Sequence, residues 1–224
     1  MSTLRLGLVL LGVLTLAAAW LGAFGRLLPG PFSAHMTMHM AVVAVAAPLF
    51  AFGVAGTWAD PVGRWPRCFS VAAASIAELI LVWAWHTPAL HHAARHSSGG
   101  VVYEQASFLL SGLWLWGAAV GGDRRERAGA GIVGLLLTCM HMTLLGALLA
   151  LPPRVLYEHA NHGVEAHAAR ISPLADQHLG GAIMIVFGGA AYLCGGLWLA
   201  LGLLQQKRRA PLAAARPAPV ERLP

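Results

Sequence analysis

The six residues from His35 to Met40, HMTMHM, hold two imidazoles and three thioethers. On a helix, His35 and His39 lie on one face, about 6 Å apart along the axis at ~1.5 Å per residue, and Met36 and Met40 form a second pair beside them. Imidazole binds several transition metals, and thioether sulfur favours Cu(I). The segment therefore predicts a copper-capable stripe, although interfacial histidines and gap-filling methionines would give the same pattern.

A second group of histidines follows an apolar run that ends near residue 85. His86 lies two residues before Pro88, and a proline ends or restarts a helix. We therefore expect the His86 side chain to reach into a cavity at a helix break. His91, His92 and His96 come next, and this trio is equally typical of solvated residues in a loop at the membrane surface.

Two ionisable residues lie inside apolar segments. His141 belongs to the run CMHM and lies roughly 15 Å from the outer end of its predicted helix. It is too deep to share one metal with His35 unless the cavity is deep, so we expect a second site, a relay point or a structural hydrogen bond. Glu78 costs about 2.5–3.5 kcal/mol in a membrane helix, so it must be protonated, paired or facing a polar cavity.

Asp176 and His178 come just before the last apolar run. His178 is a further candidate ligand for a metal. Asp176 is a candidate ligand as well, or a partner that orients a metal-binding histidine. An aspartate in this position is equally typical of the N-terminal cap of a helix.

The composition of the chain is that of an integral membrane protein. Of its 224 residues, 58% are hydrophobic and 11% are charged, whereas soluble domains carry about 25% charged residues. The three cysteines are scattered and form no disulfide framework. The sequence has no nucleophile elbow, no His-Glu-x-x-His and no phosphate loop, so we expect a protein that is not an enzyme.

Six apolar runs are long enough to cross a bilayer as helices. They predict an all-α, polytopic transmembrane bundle over residues 1–209, with a disordered cytoplasmic tail over 210–224. The first run could be a signal peptide cleaved after its three alanines at 17–19, but we interpret it as an uncleaved helix. The predicted spans cover residues 6–24, 37–56, 69–85, 103–120, 129–151 and 179–204.

Basic residues indicate the orientation, because cytoplasmic loops of membrane proteins are enriched in Lys and Arg. Eleven of the 15 Lys and Arg fall on the side of the two termini, which predicts that both termini are cytoplasmic. This topology also accounts for the net charge of +6, so no nucleic-acid partner is expected. The eleven are Arg5, Arg64, Arg67, Arg124, Arg125, Arg127, Lys207, Arg208, Arg209, Arg216 and Arg222.

The same topology sorts the histidines. Ten of the 11 histidines fall at the outer face, and only His141 lies deeper. Histidines buried for packing alone would not be sorted by side, so this distribution is the strongest functional indication in the sequence. The ten are His35, His39, His86, His91, His92, His96, His159, His162, His167 and His178.

Several stretches of the chain resemble the polytopic CtaG-like family, which is linked to assembly of caa-type haem–copper cytochrome c oxidases. Their order and spacing cover most of the chain after the first span. The stretches are HMTMHM at 35–40 with APL at 47–49, WHTPAL at 85–90, EQASFL at 104–109, HMTLLGALL at 141–149 and DQHLGGAIM at 176–184.

The resemblance implies a role in oxidase maturation in the bacterial cytoplasmic (inner) membrane, with oxidase subunits as partners and copper delivered on the outer, periplasmic face. Three positions depart from the family pattern. The family commonly has His-x-x-x-His where this chain has Val101 and Gln105, and commonly Gln where it has His178. The residues that match the pattern are His35, His39, His86, Glu104, His141, Asp176 and Gln177.

The resulting hypothesis is a His/Met cavity that opens outward, binds Cu(I) and passes it to an oxidase subunit. Two alternatives stay open: a metal-free membrane scaffold for oxidase subunits, and a haem-handling protein in which His141 and His86 are axial ligands. The metal ligands of the copper hypothesis are His35, His39, Met36 and Met40, with His86, His141, His178 and Asp176 as further ligands or relay points.

Overall fold

The computed structural model describes residues 2–97, 99–157 and 170–214, and within these ranges the protein is helical and has no strand. Two π-helical segments, Ala41–Ala46 and Met184–Gly188, interrupt long helices. The α-helices are α1 Thr3–Trp20, α2 Ala23–Leu27, α3 Pro31–Met40, α4 Ala47–Val54, α5 Pro61–Arg64, α6 Val71–Trp85, α7 Pro88–Arg95, α8 Gly100–Val120, α9 Arg124–Ala150, α10 Pro173–Ile183 and α11 Gly189–Ala214.

Four or five helical stretches in the described ranges are long and apolar enough to cross a membrane, which indicates a multi-pass membrane protein. The fifth is the pair α6 and α7, which is bent by 73° and counts only if the pair is one span. Helix α8 covers the predicted span 103–120 but is not among the candidates, because Glu104 and Gln105 lower its hydropathy. Six spans and cytoplasmic termini therefore stay predictions. The other four candidates are Thr3–Trp20, Pro31–Val54, Glu126–Ala150 and Pro173–Gln205.

The second candidate span begins earlier than the sequence predicts. It starts at Pro31 instead of residue 37, and a proline at the first helical position lacks an N–H that would have no partner there. His35 and His39 consequently lie within the helix, not at its outer end. Their side chains point into the bundle and are buried.

The π-helical segments lie next to buried methionines in the second and last candidate spans. Met40 precedes Ala41–Ala46, and its sulfur would lie 3.3 Å from a Cβ added at Gly188, the end of the other segment. Trp116 of α8 donates a 3.1 Å hydrogen bond to the Val43 carbonyl. π-Helical turns occur often at functional sites, and the segment Ala41–Ala46 begins two residues after His39.

The predicted boundaries at the end of the chain can be compared with the structure only as far as residue 214. Helix α11 continues to Ala214, beyond the predicted end of the bundle at residue 209. Residues 215–224 of the predicted tail lie outside the described residues, as do His159, His162 and His167 of the last outer loop.

Candidate metal centre

Three helices, α3, α7 and the N-terminal part of α8, bring two imidazoles and a carboxylate together. His35, His91 and Glu104 each offer a ligand atom, and these atoms lie within 4.8 Å of one another. His35 Nε2 is 3.4 Å from Glu104 Oε1, and the rings of His35 and His91 have centroids 5.3 Å apart. All three side chains are buried. Imidazole and carboxylate donors in this number can hold a transition-metal ion.

The bend between α6 and α7 delivers His91 to this cluster. Thr87 ends the turn after α6, its hydroxyl caps the N-terminus of α7, and Pro88 occupies the first helical position. Because the two helix axes differ by 73°, α7 folds over the bundle and does not continue α6 outward. His91 is therefore a buried residue, not a solvated loop residue.

Tyr157, from the segment after α9, packs against the cluster. Its hydroxyl donates a 2.6 Å hydrogen bond to the His86 carbonyl, and its ring lies 4.7 Å from that of His91 and 4.9 Å from that of Phe32. Burial raises the pKa of Tyr157 to about 12. The phenol therefore stays protonated at neutral pH and remains the donor in this bond.

His39 and His86 form a second imidazole pair one turn further in, with ring centroids 5.4 Å apart. His86 Nδ1 lies 2.6 Å from the Val82 carbonyl, which makes Nδ1 the protonated nitrogen and leaves a lone pair on Nε2. Within the described ranges, His86 Nε2 and both ring nitrogens of His39 are buried without a hydrogen-bond partner. Ring nitrogens without a protein partner can serve as ligands for a metal ion.

Arg95, the last residue of α7, supplies the cation of the site. Its guanidinium pairs with Glu104 Oε2, and its side chain is 27% exposed whereas that of Glu104 is 0% exposed. A carboxylate taken out of water needs a partner of opposite charge. The Arg95 pair meets that requirement for Glu104 while Oε1 faces His35.

In the structure, the two imidazoles and the two thioethers of the predicted stripe face different neighbouring helices. His35 faces α7 and α8, and His39 faces α8 and His86 at the end of α6. Met36 and Met40 instead pack toward the last span. A Cβ added at Gly180 would lie 2.9 Å from Met36 Cγ. Both thioethers are buried, and their contacts with small residues are those of core packing.

His178, Asp176 and His141 lie outside the cluster of His35, His91 and Glu104. His178 Nε2 is 2.9 Å from the Pro152 carbonyl. Asp176 accepts backbone hydrogen bonds from Phe32 at 2.8 Å and from the next residue at 2.9 Å, so it caps α3 and not its own helix. His141 is buried, and in the described part of the chain its two ring nitrogens have no hydrogen-bond partner.

Glu78 has the partner that its position inside a membrane helix requires. The Tyr192 hydroxyl donates a 2.6 Å hydrogen bond to Glu78 Oε1, and the Tyr192 ring stacks on Trp116 at 5.3 Å. This polar pair therefore links α6, α8 and α11 in the interior of the bundle.

Sequence reasoning did not assign His91, Glu104 or Arg95 to the site. Glu104 entered only through the family resemblance, although an acidic residue in an apolar helix is itself a functional signal. For His91 the sequence is equally consistent with a solvated loop residue and with a site residue, because spacing alone does not give the direction of the bend after α6. No sequence signal identified Arg95.

The helices and the buried imidazole–carboxylate cluster define a multi-pass membrane protein with a candidate transition-metal centre. The family model for the cytochrome c oxidase caa3 assembly factor (Caa3_CtaG) matches residues 1–206, and the chain belongs to this family. The resemblance noted in the sequence is thereby confirmed, and a family of assembly factors suggests a role other than catalysis. No curated protein and no solved structure matches the chain.

Proposed function

We propose that this protein supports maturation of a caa3-type cytochrome c oxidase by binding copper at the outer face of the bacterial cytoplasmic membrane and passing it to an oxidase subunit. The observation that carries the proposal is the convergence of buried imidazoles on Glu104, with ligand atoms of His35, His91 and Glu104 within 4.8 Å. The family supports the process, since it is named for assembly of this oxidase.

The centre offers more donors than one copper ion needs. His35, His91 and Glu104 form the outer set, and His39 and His86 form a pair one helical turn further in. Adjacent donor sets let an ion move by exchanging one ligand at a time, which suits a protein that must release its metal. The ligands here are imidazole and carboxylate, and the thioethers of Met36 and Met40 lie on the neighbouring face of the same helix.

The test is Cu(I) binding by the purified protein in detergent, in competition with a chromophoric chelator. We expect the variant His35→Ala/His39→Ala to lose affinity by about 100-fold or more, because it removes donors from both sets. The same variant should fail to support oxidase maturation in cells. Copper binding and maturation that survive this substitution would contradict the proposal.

Two matched controls accompany that variant. His178→Ala removes an outer histidine whose ring bonds the Pro152 carbonyl, so binding should be retained. Met36→Leu/Met40→Leu conserves side-chain volume at a cost usually below about 1.5 kcal/mol, and it should also bind like the wild type. A loss of Cu(I) affinity in the leucine variant would show that sulfur contributes to the site.

A metal-free scaffold for oxidase subunits is the second candidate function. It is favoured by one observation, namely that Arg95 already neutralises Glu104 without a metal. A well-folded protein that captures oxidase subunits but takes up no copper would support the scaffold. A Soret band in the purified protein would favour the haem alternative.

A further inference from the structure

The inference concerns how the candidate centre controls its metal, and it rests on the proposed function. Glu104 holds two opposite roles in the same site. Its carboxylate belongs to the set of possible metal ligands, with Oε1 3.4 Å from His35 Nε2, while Oε2 pairs with the guanidinium of Arg95. A bound metal ion and Arg95 would therefore be two cations on one buried carboxylate.

Two cations bound to the same buried carboxylate repel one another strongly, because bulk water does not screen their charges. The guanidinium stabilises Glu104 when no metal is present, because an uncompensated buried carboxylate is costly. A metal ion supplies the same compensation. Either cation satisfies Glu104, and each disfavours the other.

Arg95 also has a route away from Glu104. It is the last residue of α7, its side chain is 27% exposed, and it lines a cleft on the outer surface together with His91 and Tyr157. The long side chain can turn into this cleft, where water solvates the guanidinium. Movement of one side chain thus suffices to free Glu104 for a metal.

We propose that Arg95 is a resident counter-ion that competes with the metal for Glu104. Loading displaces its guanidinium into the outer cleft, and its return to Glu104 promotes release. Arg95 is thus a regulatory residue of the site and not a ligand. The arrangement holds the metal firmly enough to load it and loosely enough to transfer it.

The size of the effect follows from the population of the paired state. The apparent affinity for a ligand falls by the fraction of protein that is competent to bind it. If Arg95 is paired with Glu104 in about nine-tenths of the metal-free protein, removing it should raise metal affinity about tenfold. Release to a chelator should slow by a similar factor.

The experiment compares wild type, Arg95→Gln and Arg154→Gln in Cu(I) titrations against the chelator, with stopped-flow measurement of release. Arg154→Gln removes the same charge from an exposed position after α9 and should leave affinity and release unchanged. Arg95→Gln should bind about tenfold tighter. If the wild type binds Cu(I) and Arg95→Gln binds it equally well or more weakly, the inference is overturned. If none of the three proteins binds Cu(I), the proposed function itself is overturned.

A second measurement does not depend on the folding of a variant. An arginine-selective dicarbonyl reagent applied to the wild type, followed by peptide mass spectrometry, should modify Arg95 faster in the copper-loaded protein than in the metal-free protein. Modification of Arg154 should not change. Equal modification of Arg95 in both states, in protein that has bound copper, would rule out its displacement.

Discussion

At the scale of single residues, Asp176 shows how one carboxylate fixes the helix that carries the candidate ligands. Its two oxygens accept N–H groups of Phe32 and Ser33 at the start of α3. A negative charge at that end also interacts favourably with the helix dipole. A Cβ at Gly30 would collide with this carboxyl group, so the close approach requires glycine.

Substitution of Asp176 should reduce stability without changing the metal ligands. We expect Asp176→Ala to lower the free energy of unfolding by about 1–2 kcal/mol, as for loss of a helix cap, and Asp176→Asn to cost less because one acceptor oxygen remains. Thermal unfolding in detergent measures the difference. Cu(I) affinity of the folded protein should be unchanged, and its selective loss would show that Asp176 is a ligand as the sequence analysis predicted.

At the scale of helices, α9 and α10 approach so closely that their backbones touch. A Cβ added at Gly181 would lie 2.6 Å from both the Gly146 carbonyl oxygen and the Ala150 nitrogen. Small residues at such crossings are typical of membrane helix pairs, where close packing replaces the hydrophobic effect as the driving force. The contact keeps α10, and with it Asp176, against the start of α3.

Gly181→Ala should force these helices apart. Because the obstructing atoms belong to the backbone, no side chain can move to relieve the contact, and we expect a loss of about 1–3 kcal/mol. The matched control is Gly129→Ala in α9, where an added Cβ meets nothing within 4 Å. That control should be neutral or slightly stabilising, since alanine favours helix over glycine. Equal melting temperatures for the two variants would contradict the packing argument.

The helical elements also mark how far the sequence could predict the site. Periodicity places His35 and His39 on one face, because residues four apart on a helix are neighbours. Periodicity does not say which neighbouring helix that face meets. It therefore groups Met36 and Met40 with the imidazoles, whereas in the structure the two methionines pack toward Gly180 and Gly188. Pairings such as Arg95 with Glu104 depend on the direction of the bend after α6, which no local pattern specifies.

At the scale of the whole molecule, hydropathy predicted the membrane class and most of the long helices. The span predicted at 103–120 does form a helix, α8 of 21 residues, but Glu104 and Gln105 make this helix too polar to count among the candidate spans. The polarity that lowers the hydropathy of α8 belongs to the candidate site, since Glu104 is one of its three converging residues. Functional residues thus reduce the very signal from which topology is predicted.

The orientation of the bundle in the membrane decides whether the candidate centre can deliver copper to an oxidase subunit on the periplasmic side. The basic residues predict that the loop before α6 is cytoplasmic, and its Cys68 is exposed. In intact spheroplasts, a membrane-impermeant maleimide should therefore leave Cys68 unlabelled, whereas a permeant maleimide should label it. For this measurement Cys139 and Cys194, which lie within candidate spans, are replaced by alanine.

The control is Arg154→Cys on a background that also lacks Cys68, which places one thiol in the segment after α9. If the histidine-rich face is periplasmic, the impermeant reagent should label this variant and not the protein with Cys68 alone. The reverse labelling pattern would show that the cluster of His35, His91 and Glu104 lies on the cytoplasmic side. Copper would then be acquired from the cytoplasmic side, and a role in delivery on the outer face would be excluded even if the binding measurements succeeded.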